Sequence, residues 1–260
     1  MPAKGVTTTT LDVPRPPAVG GGSVEIREVV RTFRGRRGEV QALDRVSLRV
    51  PVGQILAIVG PSGCGKTTLL ELICGLQSPD AGTVEADPAA LMPQRDLLLP
   101  WLSALDNAGL ALRARGASKT QARARAAPWF GRMGLEGFER ARPHELSGGM
   151  RQRVSFLRSL LAGKPVLALD EPFAALDALT RTEMQTWLAE TLAAEPRTVV
   201  LVTHDVEEAV LLADRVVVMS ARPGRVTADL PITLARPRRR TDPELVALRA
   251  EALRELGVPG

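Results

Sequence analysis

The stretch Gly60-Pro61-Ser62-Gly63-Cys64-Gly65-Lys66-Thr67 constrains the fold of this chain more than any other. It follows a short apolar run, Ile55 to Val59, and opens a helix-compatible segment from Lys66 to Gly75, the strand, loop and helix order of a phosphate-binding unit. The glycines let backbone N–H groups converge on phosphates, and the helix N-terminus adds its positive dipole. Lys66 then reaches the β and γ phosphates, Thr67 can ligand magnesium, and Thr68 completes the phosphate-binding set. An ordinary glycine turn ahead of a helix is the bland alternative, disfavoured because the motif both follows a strand and opens a helix.

Beyond the loop the pattern alternates. A helix from Ser147 to Leu161, capped by Ser147 and stopped by Gly163 and Pro165, precedes a buried strand at Val166 to Leu169. Helix 178–194 leads to strand 198–202, helix 206–213 leads to strand 215–219, and a last strand lies near 225–230. Such alternation implies a mainly parallel sheet with helices on both faces, hence an α/β fold. Val24 to Val30 and Val46 to Val50 read as an antiparallel preamble, and Ser103 to Arg140, rich in Ala and Arg, reads as a helical insert. Core composition agrees: 45% of residues are hydrophobic but only 3% are aromatic, with no Tyr, so the core is built from aliphatic side chains suited to a buried parallel sheet.

Val166 to Leu169 runs into Asp170-Glu171. The carboxyl ends of strands are where α/β sheets place ligand chemistry, so Asp170 can hold magnesium through water and Glu171 can polarise the attacking water. Taken alone, the pair reads equally as the solvated end of a buried strand. Leu146-Ser147-Gly148-Gly149 is structurally a helix cap after a flexible corner. Functionally, the Ser147 hydroxyl, the Gly149 backbone and the helix dipole form a second anion site.

Charge and length narrow the classes. Lys and Arg total 34 against 29 Asp and Glu over 260 residues, a modest excess spread along the chain, which does not argue for nucleic acid. No stretch approaches the roughly 18 apolar residues of a membrane-spanning helix, and residues 1–22, rich in Thr, Pro and Gly, read as a disordered leader rather than a secretory signal. Cys64 and Cys74 offer neither a bridge nor a metal pattern, which suits a reducing cytosol.

The ordered set of the loop at 60–67, Gln94, Leu146 to Gly149, Asp170-Glu171, Ala175-Leu176-Asp177 and His204 resembles the ABC ATPase family from about Val24 to Leu230. The resemblance implies a phosphate-loop ATPase fold with an antiparallel β subdomain and a helical subdomain at about 95–160, within a domain spanning 23–235. It implies ATP and Mg2+ as cofactors, and a head-to-tail dimer in which the signature at Ser147, Gly148 and Gly149 of one copy closes over ATP held by the loop of the other. Carried onto this chain, Gln94 touches magnesium and the attacking water, Asp177 couples the two sites, and His204 contacts the γ phosphate. Phe33 matches the aromatic that stacks on adenine, with core packing as its alternative. Met150, Ala175 and Arg95 depart from the common pattern without removing a group that handles phosphate or metal. Cys64 packs within the loop, so its alkylation is expected to hinder ATP binding.

Met92 to Trp101 and Pro172 to Arg181 are similar to segments of ATPases from the nitrate, sulfonate and taurine importer group, which includes thiamine-precursor importers. The implied setting is the cytoplasmic face of the membrane, with a transmembrane permease as partner and an extracytoplasmic solute-binding protein beyond it. A soluble, non-transport ABC ATPase is the alternative; it commonly has two ATPase domains or a long coiled coil, and neither is seen here. Leu105, Leu110 and Leu112 could face a permease helix, though much of that face is expected to be local core. The basic run at 236–240 reads as a solvated, partly disordered turn or a contact for anionic lipid, ahead of a short helix from Pro243 to Leu256.

Overall fold

Ile55–Val59 (β3), Val166–Asp170 (β6) and Thr198–Thr203 (β7) are buried along their whole length, the signature of strands covered on both faces. In this computed structural model, which describes residues 21–35, 38–194, 197–236 and 238–257, they form the middle of a six-stranded sheet in the order β5-β6-β7-β3-β8-β9. Ala89–Met92 (β5) and Arg215–Met219 (β8) extend it in parallel, and Val226–Pro231 (β9) pairs antiparallel with β8. The last strand turns back because only a short turn separates Met219 from Val226, too few residues for a parallel crossover.

Alternate residues of the central strands serve two cores, as the period of two dictates. Ala57, Leu169 and Leu201 face the core shared with the helical region. Leu56, Ile58, Ala168 and Val200 face a second core that also holds Leu69 and Leu70. Those two leucines belong to helix α1, Lys66–Ile73, which is thereby held between the main sheet and a three-stranded antiparallel sheet in the order β2-β1-β4. The preamble strands are longer than the sequence pattern suggests: β1 covers Val24–Gly35 and β2 covers Gly38–Val50. Ala81–Ala86 (β4) and β5 have no counterpart in the sequence reading, since β4 is largely exposed and shows no apolar alternation.

The insert expected at 103–140 is three helices, Ala104–Ala108 (α2), Leu110–Ala114 (α3) and Lys119–Arg132 (α4). Gly116 at φ +93° stops the chain after α3, and the Ser118/Gln121 capping box restarts it. Asp106 receives both Arg123 Nε and Nη2 at 2.8 Å, which fastens α2 to α4. Leu112 is core, whereas Leu105 is only partly buried. Gly148–Leu161 (α5) begins at the expected cap, with Ser147 Oγ accepting from the Met150 amide at 3.2 Å. Ala178–Ala194 (α6) and Val206–Leu212 (α7) complete the alternation. Among the described residues no helix is long and apolar enough to cross a membrane, and both cysteines are free. The expected leader lies, except for Gly21 and Gly22, outside the described residues.

The basic run is only partly solvated: Arg239 and Arg240 are exposed, but Arg238 is not. Arg238 is buried, and its guanidinium donates to Val210 O at 3.0 Å and to Leu211 O and Ala213 O, carbonyls at the C-terminal end of α7 that have no helical partner. Arg236 pairs with Asp214 at 3.1 Å and Arg240 with Glu207 at 3.1 Å, so the segment straps helix α8, Pro243–Glu255, onto α7. Burial lowers the Arg238 pKa from its ordinary value, with Asp214 opposing the shift. Arg238→Ala is expected to cost about 2–3 kcal/mol, because charged hydrogen bonds to buried carbonyls are lost. Thermal unfolding should then begin roughly 5–10 °C lower; an unchanged Tm would show that the strap contributes nothing.

Candidate nucleotide site

Four strand ends of the parallel sheet meet at one edge: the loop after β3, Gln94 after β5, Asp170-Glu171 at the end of β6 and His204 after β7. The loop is shaped by backbone that only glycine tolerates. Gly65 sits at φ +103°, and a Cβ there would lie 2.8 Å from Ala42 O. Lys66 is 8% exposed and folds across the loop, its Nζ donating to Gly60 O at 2.7 Å and Pro61 O at 2.9 Å. The Cys64 side chain is buried beneath the loop and Lys66 Nζ lies 3.7 Å from its Sγ, so an alkylating reagent reaches that thiol only when the loop opens.

Thr67 Oγ1 donates to Asp170 Oδ2 at 2.8 Å. Burial pushes the Asp170 carboxyl above its ordinary value; the Thr67 bond opposes this and the neighbouring Glu171 adds to it. A buried carboxylate beside a hydroxyl at the mouth of a phosphate loop suits a divalent cation whose remaining ligands come from phosphates and water. Consistently, among the described residues no group of three His, Cys, Asp or Glu is assembled that could hold a metal by itself. ATP with Mg2+ therefore fits the donor set of Thr67 and Asp170, with Gln94 close by.

Glu171 stands at φ +47°, a left-handed conformation unusual for a residue other than glycine, and its amide donates to Val202 O at 2.8 Å. Its carboxylate is held from two sides. Gln94 Nε2 donates to Oε2 at 3.0 Å, and His204 Nδ1 lies 3.3 Å from Oε1. The segment after Gln94 is pinned to the signature helix, with Arg151 on Asp96 at 2.9 Å and Arg158 on the Asp96 and Leu97 carbonyls, both at 2.8 Å. Asp96 thus supplies an acid one position beyond Arg95. Asn107 reinforces the arrangement by bonding both the amide and the carbonyl of Leu99.

A cavity of about 500 Å³ runs past the loop from Glu171 to Phe33, with Ser62, Gly63, Gly65, Lys66, Thr67, Thr68, Gln94 and Asp170 on its walls. Phe33 is not core: it is 38% exposed, stands opposite Val40 in the β1–β2 pair, and carries the Arg31 guanidinium 4.9 Å from its ring centroid. Gly60, Pro61 and Cys64 shape the loop without lining the cavity. Arg222, which no sequence signal singled out, also lines it, with Nε donating to Gly63 O at 3.0 Å. It is placed there by Gly224, whose amide donates to Ala42 O at 2.8 Å, clamping the β8–β9 turn against β2.

The residues expected to form a second anion site lie elsewhere. Ser147, Gly148, Gly149 and Asp177 are absent from the cavity walls. Gly149 instead packs beside Leu176, where a Cβ would stand 3.2 Å from its Cδ2. Asp177 caps α6 by accepting from the Thr180 amide at 3.0 Å, and that bond holds its carboxyl below the ordinary value.

Residues 43–174 match a family model described as ABC transporter. The chain is 44% identical over 270 residues to the aliphatic sulfonates import ATP-binding protein SsuB 1 of Mesorhizobium japonicum, covering 98% of this chain and 99% of that protein. It is 46% identical over 205 residues to the formylaminopyrimidine import ATP-binding protein ThiZ of Halalkalibacterium halodurans, covering 77% and 82%. A solved dimeric ATP-binding cassette in a post-hydrolysis state, bound to ADP and Pi, superposes with a TM-score of 0.74 at 30% identity, covering 82% of this chain and all of that one.

Proposed function

This chain belongs to the ABC transporter family as an ATP-hydrolysing subunit, and from that premise we propose that it works as a dimer driving a membrane importer for a small sulfonate, taurine or nitrate. One observation supports the dimer: the Ser147 to Gly149 surface, read from the sequence as a second anion site, does not reach the cavity of its own loop. A second copy, head to tail, supplies the missing wall. The solved dimeric cassette supports that reading, and the names of the relatives support an importer. The relative that imports formylaminopyrimidine favours, as a second reading, a thiamine-precursor solute.

Bound ATP and magnesium supply the phosphoanhydride bond and the charge that polarises it. The chain's own groups bind and orient. Lys66 leaves the Gly60 and Pro61 carbonyls to meet the β and γ phosphates, while the loop amides and Thr68 cradle them. Thr67 and Asp170 hold the metal, and Phe33 stacks on adenine. Glu171 takes the proton of the attacking water, kept in place by Gln94 and His204. Because the Gln94 segment is tied through Asp96 and Arg151 to the signature helix, a change at the γ phosphate is passed towards the permease; Asp177 passes it to the second site.

The chain has no membrane-spanning helix among its described residues, so its place at the cytoplasmic face depends on the permease. The test is to extract native membranes in mild detergent, recover the tagged chain and identify what copurifies. A polytopic permease is expected, and the recovered complex should raise its ATPase rate with binding protein loaded with a sulfonate or nitrate. Stimulation by a pyrimidine instead selects the second solute, whereas recovery of ribosomes or DNA-bound proteins overturns the transport reading.

A further inference from the structure

Behind Glu171 and His204 lies a second cavity of about 40 Å³, walled by Glu171 and Ala174, by Thr203 to Asp205, by Arg181 of α6 and by Glu208 of α7. Two groups on its walls are left over from everything described above. Glu208 is 5% exposed and its Oε1 has no hydrogen-bond partner; Arg181 Nε is likewise buried and unpartnered, although its Nη2 donates to Leu176 O at 3.0 Å. One is an acceptor, the other a donor. Buried polar groups are rarely left so, and the space exceeds the roughly 10–15 Å³ that one water needs.

We propose that Glu208 is a positioning residue for hydrolysis, its carboxyl sharing one buried water with Arg181 so that the Thr203 to Asp205 segment holds His204 against Glu171. The inference rests on the reading of Glu171 and His204 given above. The mechanical link is short. Asp205 Oδ1 accepts from the Glu207 and Glu208 amides at 2.9 and 3.2 Å, and Thr203 Oγ1 accepts from the Asp205 amide at 3.0 Å. The first turn of α7, which carries Glu208, and the residues on both sides of His204 therefore form one bonded unit.

The charge state follows from the surroundings. Burial pushes the Glu208 carboxyl up to about 8; Asp205 adds to the rise, while Thr203, Arg181 and Gln185 of α6 oppose it. Glu171 and His204 face it across the cavity, and Glu207 is turned away to Arg240. At neutral pH the group is an acid with a proton to donate. Above about 8 it becomes a carboxylate beside Asp205 and Glu171, and the unit holding His204 is pushed apart.

The experiment is the pH profile of kcat and of KM for ATP, measured on the wild type, Glu208→Gln and Arg181→Met. Wild-type kcat should fall about tenfold between pH 7 and pH 9, as for any step that needs one group protonated, while KM stays level because the phosphate loop lies on another strand. An amide cannot ionise, so in Glu208→Gln that alkaline limb should disappear. Arg181→Met removes the cation that favours the carboxylate, so its limb should move to higher pH with a severalfold lower kcat at pH 7. A limb that persists in Glu208→Gln overturns the proposal. Should that variant not fold, an unmoved limb in Arg181→Met overturns it as well. Glu171→Gln separately decides whether Glu171 is the base.

Discussion

Glu171→Gln is expected to lower kcat for ATP hydrolysis by about a thousandfold, the range in which a positioned general base contributes, while leaving ATP affinity close to that of the wild type. Glutamine keeps the length of the side chain, so an oxygen acceptor remains for Gln94 and the shape of the β6 end is undisturbed. What disappears is the capacity to take a proton from water. Affinity should survive because Lys66, Thr67 and the loop amides make no bond to Glu171 in this structure. The strained backbone at φ +47° strengthens the assignment. A left-handed non-glycine residue costs about 1–2 kcal/mol, and such strain persists where the surrounding structure imposes it, often at functional positions. With binding intact and hydrolysis stopped, the closed dimer should accumulate, so size-exclusion chromatography with ATP should show a dimer that the wild type forms only transiently. Near-normal turnover would show that the base lies elsewhere.

The parts of the fold that could be read from the chain are those where local pattern and burial coincide. β3, β6 and β7 contain unbroken apolar runs, Ile55 to Val59, Val166 to Leu169 and Val199 to Val202, that lead to Gly60, Asp170-Glu171 and His204, so both their existence and their chemical ends were legible. β4 and β5 were not, because Ala81 to Ala86 is exposed on an edge and Ala89 to Met92 is four residues long. The run at 236–240 misled for a related reason. A string of arginines reads as solvated surface, yet Arg238 turns inward to carbonyls that only the three-dimensional end of α7 exposes. The Val206-Glu207-Glu208 turn hides the same ambiguity, since one of two adjacent acids is buried and the other pairs with Arg240. In the site, the residues that approach through their own strand ends were found from sequence. Arg222, which arrives from a turn about 160 positions from the loop it touches, carries no local signal.

Lys66→Ala should act on the other half of the reaction. The ammonium is almost fully buried, with the Gly60 and Pro61 carbonyls as its partners, so it is stored within the loop rather than spent on a permanent ion pair. Moving from neutral carbonyls to phosphate oxygens strengthens its hydrogen bonds, and that difference is available only when nucleotide is present. Its loss should weaken ATP binding by about 2–3 kcal/mol, the scale of a charged hydrogen bond, or roughly fiftyfold in Kd. Equilibrium titration with a fluorescent ATP analogue measures this directly. The variant pair then separates binding from chemistry: Lys66→Ala raises Kd, whereas Glu171→Gln lowers kcat at unchanged Kd. Unchanged affinity in Lys66→Ala would mean that the loop does not grip the phosphates through this side chain, and the assignment of the whole cavity to ATP would fall with it.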